Sequence, residues 1–289
     1  MQSLFESIEE WFHDLLADLI VNNLNTMFTA VNERTGSIAT EVGKTPQGWN
    51  PGIFSMVRNL SNTVIVPIAG LIITFVLCYE LISMINDRNN MHEFETYVFF
   101  KWIFKGGIAV YLLSHTFDIV MAVFDVGQYV VNGALSAIGG NTAIDISSVT
   151  ANFEAVMEDM CVGDLLTLEI ETFLMSFGMQ IVSMLITVVI VARMIEIYLY
   201  VSISPIPFAT FTNHEWGQIG NNYVRGLVAL AFQGFFIMVI VGIYSVLVNQ
   251  LSVATDLMGA LVVIAAYTVV LCFALFKTGS ISKSIFNAH

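Results

Sequence analysis

Residues 168–208 read LEIETFLMSFGMQIVSMLITVVIVARMIEIYLYVSISPIPF, with charge confined to Glu169, Glu171, Arg193 and Glu196. As a helix to Ser202 the stretch would be about 50 Å long at roughly 1.5 Å per residue, against a bilayer hydrocarbon core of about 30 Å. It can cross a membrane and protrude. The two prolines Pro205 and Pro207 then form a helix stop, because each lacks an amide hydrogen and turns the residue before it away from helix. A long span with a fixed end gives other helices a post to pack on.

The composition agrees with a membrane chain. Of 289 residues 56% are hydrophobic and 11% charged, mean hydropathy is +0.78, and a soluble domain carries roughly 25% charged residues. Lipid must therefore cover part of the surface. The start, MQSLFESIEEWFHDLL, is acidic where a secretory signal needs a basic region, so insertion is expected to use the spans themselves. Cys78, Cys161 and Cys272 follow no metal or disulfide spacing, two of them lie inside apolar runs, and they read as thiols buried in lipid.

From residue 3 to 31 a helical stripe carries Leu4, Phe5, Ile8, Trp11, Phe12, Leu15, Leu16, Leu19, Ile20, Leu24, Met27, Phe28 and Val31, opposite Glu6, Glu9, Glu10, Asp14, Asp18, Asn22 and Asn25. The face is too charged for a span and lacks the Lys and Arg by which interfacial helices hold anionic lipid. It reads as a helix at the outer surface or one gripping a partner helix, through Trp11, Phe12, Leu15 and Leu19. Residues 32–61 read as a linker with a turn near Pro46 to Gly52. Five spans follow, at about 63–85, 104–124, 173–201, 224–248 and 257–276, separated by a polar loop with Arg88, His92 and Glu93, a long connection over 125–167, the loop FATFTNHEWGQIGNN and a short loop near Asp256. The reading is all-α and polytopic. Residues 1–61 form the extracytoplasmic helix and linker, 62–280 the membrane domain with an external loop over 125–167, and 281–289 a short cytoplasmic tail.

Lys and Arg gather in alternate connections, which predicts an outside N-terminus and an inside C-terminus. Net charge is −4 over residues 1–61, −8 over 125–171 and −1 over the rest. That acidity repels phosphate, so direct sequence-specific nucleic-acid binding is not expected; it either solvates external loops or recruits a basic partner. No phosphate loop, nucleophile elbow or zinc-helix motif occurs, and His92-Glu93 and His214-Glu215 are isolated pairs, so no catalytic residue, metal or cofactor is assigned.

The residues needing explanation are ionisable ones at membrane depth, which are costly unless paired or wet. His115 and Asp118 share a helix face. Glu80, Arg193 and Glu196 fall at similar depth, so a Glu80–Arg193 pair between the first and third spans is one expectation; snorkelling of Arg193 beside Glu196 is the other. Gln180, Gln233 and Asn249 read as interhelical hydrogen-bond formers.

This layout, together with ISPIPFATF from Ile203 to Phe211 and the Trp216-Gly217 loop, resembles the TrbL-like polytopic inner-membrane subunit of type IV secretion and conjugation systems. The resemblance implies a non-enzymatic scaffold or channel subunit, present in several copies. Helix Leu4 to Val31 and loop 125–167 would meet stalk or channel subunits, and Pro205 and Pro207 would shape an inner loop facing cytoplasmic ATPases. The chain departs from members with a large C-terminal domain, since it stops thirteen residues after Phe276. A small secondary transporter or ion channel, with His115, Asp118, Glu80 and Arg193 on its path, is the competing reading.

Overall fold

A computed structural model describes residues 2–86, 96–138, 146–211, 213, 215–251 and 257–288. Every element among them is helical: α1 Gln2–Val42, α2 Pro46–Trp49, α3 Pro51–Leu60, a π-helical turn Ser61–Ile65, α4 Val66–Asn86, α5 Thr96–Ser114, α6 Thr116–Ile138, α7 Ile146–Met157, α8 Val162–Ile203, α9 Pro205–Thr210, α10 Gly217–Leu251 and α11 Leu257–Ile285. Among the described residues five stretches are long and apolar enough to cross a membrane: Pro51–Asn86, Thr116–Ile138, Val162–Ile203, Gly217–Val248 and Leu261–Ile285. The chain is an all-α, multi-pass membrane protein.

Several boundaries differ from the sequence reading, each for a local reason. The stretch expected as a linker is mostly helix. α1 continues to Val42 because Thr35, Ile38 and Val42 keep its buried stripe going. The turn-rich text beyond it encodes two helix starts: Thr45 Oγ1 accepts from Gly48 N at 3.2 Å and Asn50 Oδ1 from Ile53 N at 3.0 Å, each followed by proline in the first turn. α3 and α4 form one run through the π turn, in which Val66 N bonds Ser61 O. The wide turn comes just before Pro67, whose missing N–H and bulky ring would disturb a regular turn.

The second crossing is Thr116–Ile138 rather than 104–124. The helix deviates at His115, although His115 N still bonds Tyr111 O and Ile119 N bonds His115 O. Past exposed Asp125 the buried positions Gly127 and Val131 extend the apolar face. Connection 125–167 is accordingly helical over α7 and the ends of α6 and α8, while Gly139, Gly140 and Asn141 lie outside the described residues.

The chain divides into two compact units. One comprises Met1–Val42, Gly133–Val191 and Ile237–Lys277. In it α1 buries Leu16, Ile20, Leu24, Met27, Phe28 and Val31, α7 contributes Phe153 and Met157, and Tyr244 Oη lies 2.8 Å from Thr268 Oγ1. α8 meets α1 where Ser183 Oγ donates to Ala30 O at 3.2 Å; hydroxyl residues let helices approach closely. The other unit comprises Gly43–Asn132, Ala192–Phe236 and Thr278–His289. Its core joins Phe54 and Val57 of α3, Val120 and Phe124 of α6, Met194, Ile197 and Val201 of α8, Phe208 of α9 and Leu227 and Leu230 of α10. There Gly127 is packed so closely that a Cβ would stand 2.8 Å from Ala231 O.

Candidate functional site

Three features stand out, the first at the start of α1. The structure divides the stripe read from sequence into two. Leu16, Ile20 and Leu24 turn inward, while Trp11, Phe12, Leu15 and Leu19 stay 59, 45, 38 and 41% exposed, together with Ile8. At about 100° per residue the exposed set covers roughly 100° of the helix. Exposed Asp14 and Asp18 border one edge, and exposed Glu9 the other. Beside it a cleft of about 540 Å³ is lined by Glu9, Glu10, His13, Asp14, Glu158, Met160, Cys161 and Val162. His13 Nε2 lies 3.1 Å from Met157 O, tying α1 to α7, and the Cys161 thiol donates to Asp164 Oδ2 at 3.1 Å. Leu4 and Phe5 have side chains outside the description, and no cluster able to hold a metal occurs among the described residues.

The second feature is the set of ionisable residues in the apolar helices. Glu80 pairs with Lys105, not with Arg193: Lys105 Nζ donates to Glu80 Oε1, and the carboxylate is 11% exposed. α5 runs back along α4, with Trp102 Nε1 donating to Leu77 O at 3.1 Å, and that brings Lys105 level with Glu80. Depth alone could place Glu80 and Arg193 at one height, but helix adjacency decides the partner. Arg193 is 6% exposed, and its Nε and Nη1 have no hydrogen-bond partner among the described residues. Three residues on, Glu196 Oε1 accepts from Lys283 Nζ of α11 at 2.6 Å. His115 and Asp118 are exposed. The His115 ring stacks on Tyr111 at 4.3 Å, with Nδ1 3.0 Å from Tyr111 O, so it turns away from Asp118. Buried Gln233 donates to Thr278 Oγ1 at 3.2 Å, Gln180 is exposed, and the Asn249 side chain lies outside the described residues.

The third feature is the proline corner. α8 ends at Ile203, Ser204 Oγ donates to Val201 O at 2.8 Å, and Pro205 and Pro207 open α9 instead of a loose loop. Ala209 of α9 packs with Ala69, Ile73 and Ala109. The following loop is tied by a residue that the sequence reading missed. Asn213 Oδ1 accepts from Glu215 N at 2.8 Å and Trp216 N at 3.0 Å, capping the approach to α10; an Asn shortly before a helix was the available signal. Trp216 stacks on Phe75 at 5.5 Å and on Tyr79 at 6.3 Å, and Tyr79 Oη donates to Glu215 Oε2. Arg88, His92, Glu93, His214 and Asp256 lie outside the described residues.

Residues 31–205, about three fifths of the chain, match the family model described as TrbL/VirB6 plasmid conjugal transfer like protein. The match begins inside α1 and ends at Pro205, so Trp11, Phe12, Leu15 and Leu19 precede it. No curated protein and no solved structure matches.

Proposed function

The chain belongs to the TrbL/VirB6 plasmid conjugal transfer-like family, and from that premise we propose that it is a non-enzymatic, multi-copy scaffold or channel subunit of a conjugative type IV secretion complex in the cytoplasmic membrane. Its N-terminus lies outside and its C-terminus inside. The beginning of α1 and the α7 corner meet stalk or channel subunits, and the α9 corner at Pro205 and Pro207 faces the cytoplasmic ATPases. One observation carries the reading: Trp11, a large apolar side chain 59% exposed, heads a short stripe bordered by acids, on a helix whose other apolar face is already buried. A partner segment with an apolar seam and Lys or Arg at its margins fits that stripe. Anionic headgroups do not, because no Lys or Arg occurs before Arg34.

The competing transporter reading draws less support. Glu80 is closed by Lys105, and His115 and Asp118 sit on an exposed face rather than beside Arg193. The test is to delete the gene from the conjugative element and purify the tagged chain from donor cells in mild detergent. Lost DNA transfer and co-purification of other secretion subunits are expected. Normal transfer, with the chain purifying alone and moving a solute in liposomes, would overturn the proposal.

A further inference from the structure

Within the unit formed by Gly43–Asn132, Ala192–Phe236 and Thr278–His289, three stretches of chain pass between the same two apolar cores. The larger core holds Val57, Val120 and Val201, the smaller one Ala69, Ala109 and Ala209. Between Val57 and Ala69 the chain runs from α3 into α4, between Ala109 and Val120 from α5 into α6, and between Val201 and Ala209 from α8 into α9. Each passage is interrupted. The first contains the π turn Ser61–Ile65, the second the deviation at His115, and the third the stop at Ser204 and Pro205.

At all three the backbone ladder is thinned. Pro67, Pro205 and Pro207 bring no amide hydrogen to the turn before them. Thr116 Oγ1 donates to Leu112 O at 2.8 Å and to Leu113 O at 3.0 Å, and Ser204 Oγ to Val201 O, back-bonds of the kind that bend helices. At the head of the π turn Ser61 Oγ is fully buried yet has no hydrogen-bond partner among the described residues. A buried hydroxyl in that state gains from any rearrangement that brings a carbonyl within reach.

The bodies on either side are tied more firmly. α4 and α5 are joined by Trp102 Nε1 to Leu77 O and by the Lys105–Glu80 pair, and α9 packs on both helices. On the other side Gly127 of α6 meets Ala231 of α10 without room for a Cβ, Tyr223 Oη donates to Tyr200 O at 2.8 Å, and Arg58 of α3 lies over the Phe117 ring of α6. Phe208, against Tyr223, is the side chain by which α9 reaches the larger core.

We propose that the three interruptions form one hinge, about which an arm made of α4, α5 and α9 swings against the helices around the larger core. A few residues at element ends can absorb large backbone rotations. Three such points between the same two cores let the arm move as a body, whereas one alone would only kink its own helix. The hinge rests on this geometry; its use, passing a push on the corner at Pro205 and Pro207 into the larger core, rests on the secretion reading above.

The test uses the full-length chain in lipid nanodiscs, with Cys78, Cys161 and Cys272 replaced by serine and nitroxides attached to introduced cysteines at exposed positions. The pair Leu71→Cys with Val126→Cys spans the hinge, while Leu71→Cys with Phe104→Cys lies within the arm and Val126→Cys with Leu199→Cys within the other body. Double electron–electron resonance should give a distance distribution across the hinge that is split or broader than both controls. Replacing Pro67, Pro205 and Pro207 by alanine restores three amides and should narrow it to the width of the controls. A distribution across the hinge as narrow as the controls, or one that the alanines leave unmoved, overturns the hinge. In donor cells the alanine variant should keep its level in the membrane and lower DNA transfer roughly tenfold or more; unchanged transfer removes the proposed use. Normal transfer from cells lacking the chain altogether would sink the secretion reading and leave the hinge standing.

Discussion

Removing the Lys105 ammonium would strand the Glu80 carboxylate, 11% exposed and with Oε2 already unpartnered among the described residues. Losing one member of a buried pair leaves an uncompensated charge. Because Lys105 is itself 37% exposed, Lys105→Met should cost on the order of 2 kcal/mol, less than a fully buried pair. Adding Glu80→Gln should recover most of it in a double-mutant cycle read from thermal midpoints in detergent. Gly127 offers a second check. A Cβ there meets the Ala231 carbonyl, which is backbone and cannot swing aside, so Gly127→Ala should destabilise by about 1–3 kcal/mol through overpacking, seen as a lower midpoint with the helices still inserted. The chemistry of single residues was legible in the sequence: Pro205 and Pro207 as a break, Trp11 as part of an apolar stripe, Glu80 as a group needing a partner. Which cation answered Glu80 was not, because helix adjacency comes from packing between segments distant in sequence.

Among the elements, α1 separates what periodicity reveals from what it hides. Its period was plain, and so was its acidity. The division of its apolar residues into an inward and an outward set was hidden, because a stripe as wide as Trp11 to Leu24 reads as one face until a neighbour takes part of it. Residues 32–61 misled for a related reason. Pro46 and Pro51 look like turn formers, yet in the first turn of a helix proline gives up an amide that has no partner there anyway. Replacing Trp11, Leu15 and Leu19 with glutamate should leave the five crossings inserted, since none uses these side chains, while abolishing co-purification of other secretion subunits and DNA transfer. Blue-native gels and mating assays check the two halves, and unchanged transfer would remove the partner role of the stripe.

For the whole molecule, the proposed outside N-terminus makes a statement about Cys161. This exposed thiol lies in the short turn before α8, so in otherwise cysteine-free protein it should react with an impermeant maleimide in intact cells. Reaction confined to opened cells would reverse the orientation and exchange the partners proposed for the two ends. Span number and class were legible because lipid imposes length and hydropathy on each helix separately. The pairing of helices was not, since one-dimensional text carries no order of neighbours. The exposed apolar run on α8 from Phe173 to Leu199 measures about 40 Å at helical rise, more than the roughly 30 Å of hydrocarbon it must match. A ruler longer than the object it measures can tilt or slide to suit. The same fold should therefore seat equally well in short-chain and long-chain phospholipids, with equal thermal midpoints in vesicles of the two.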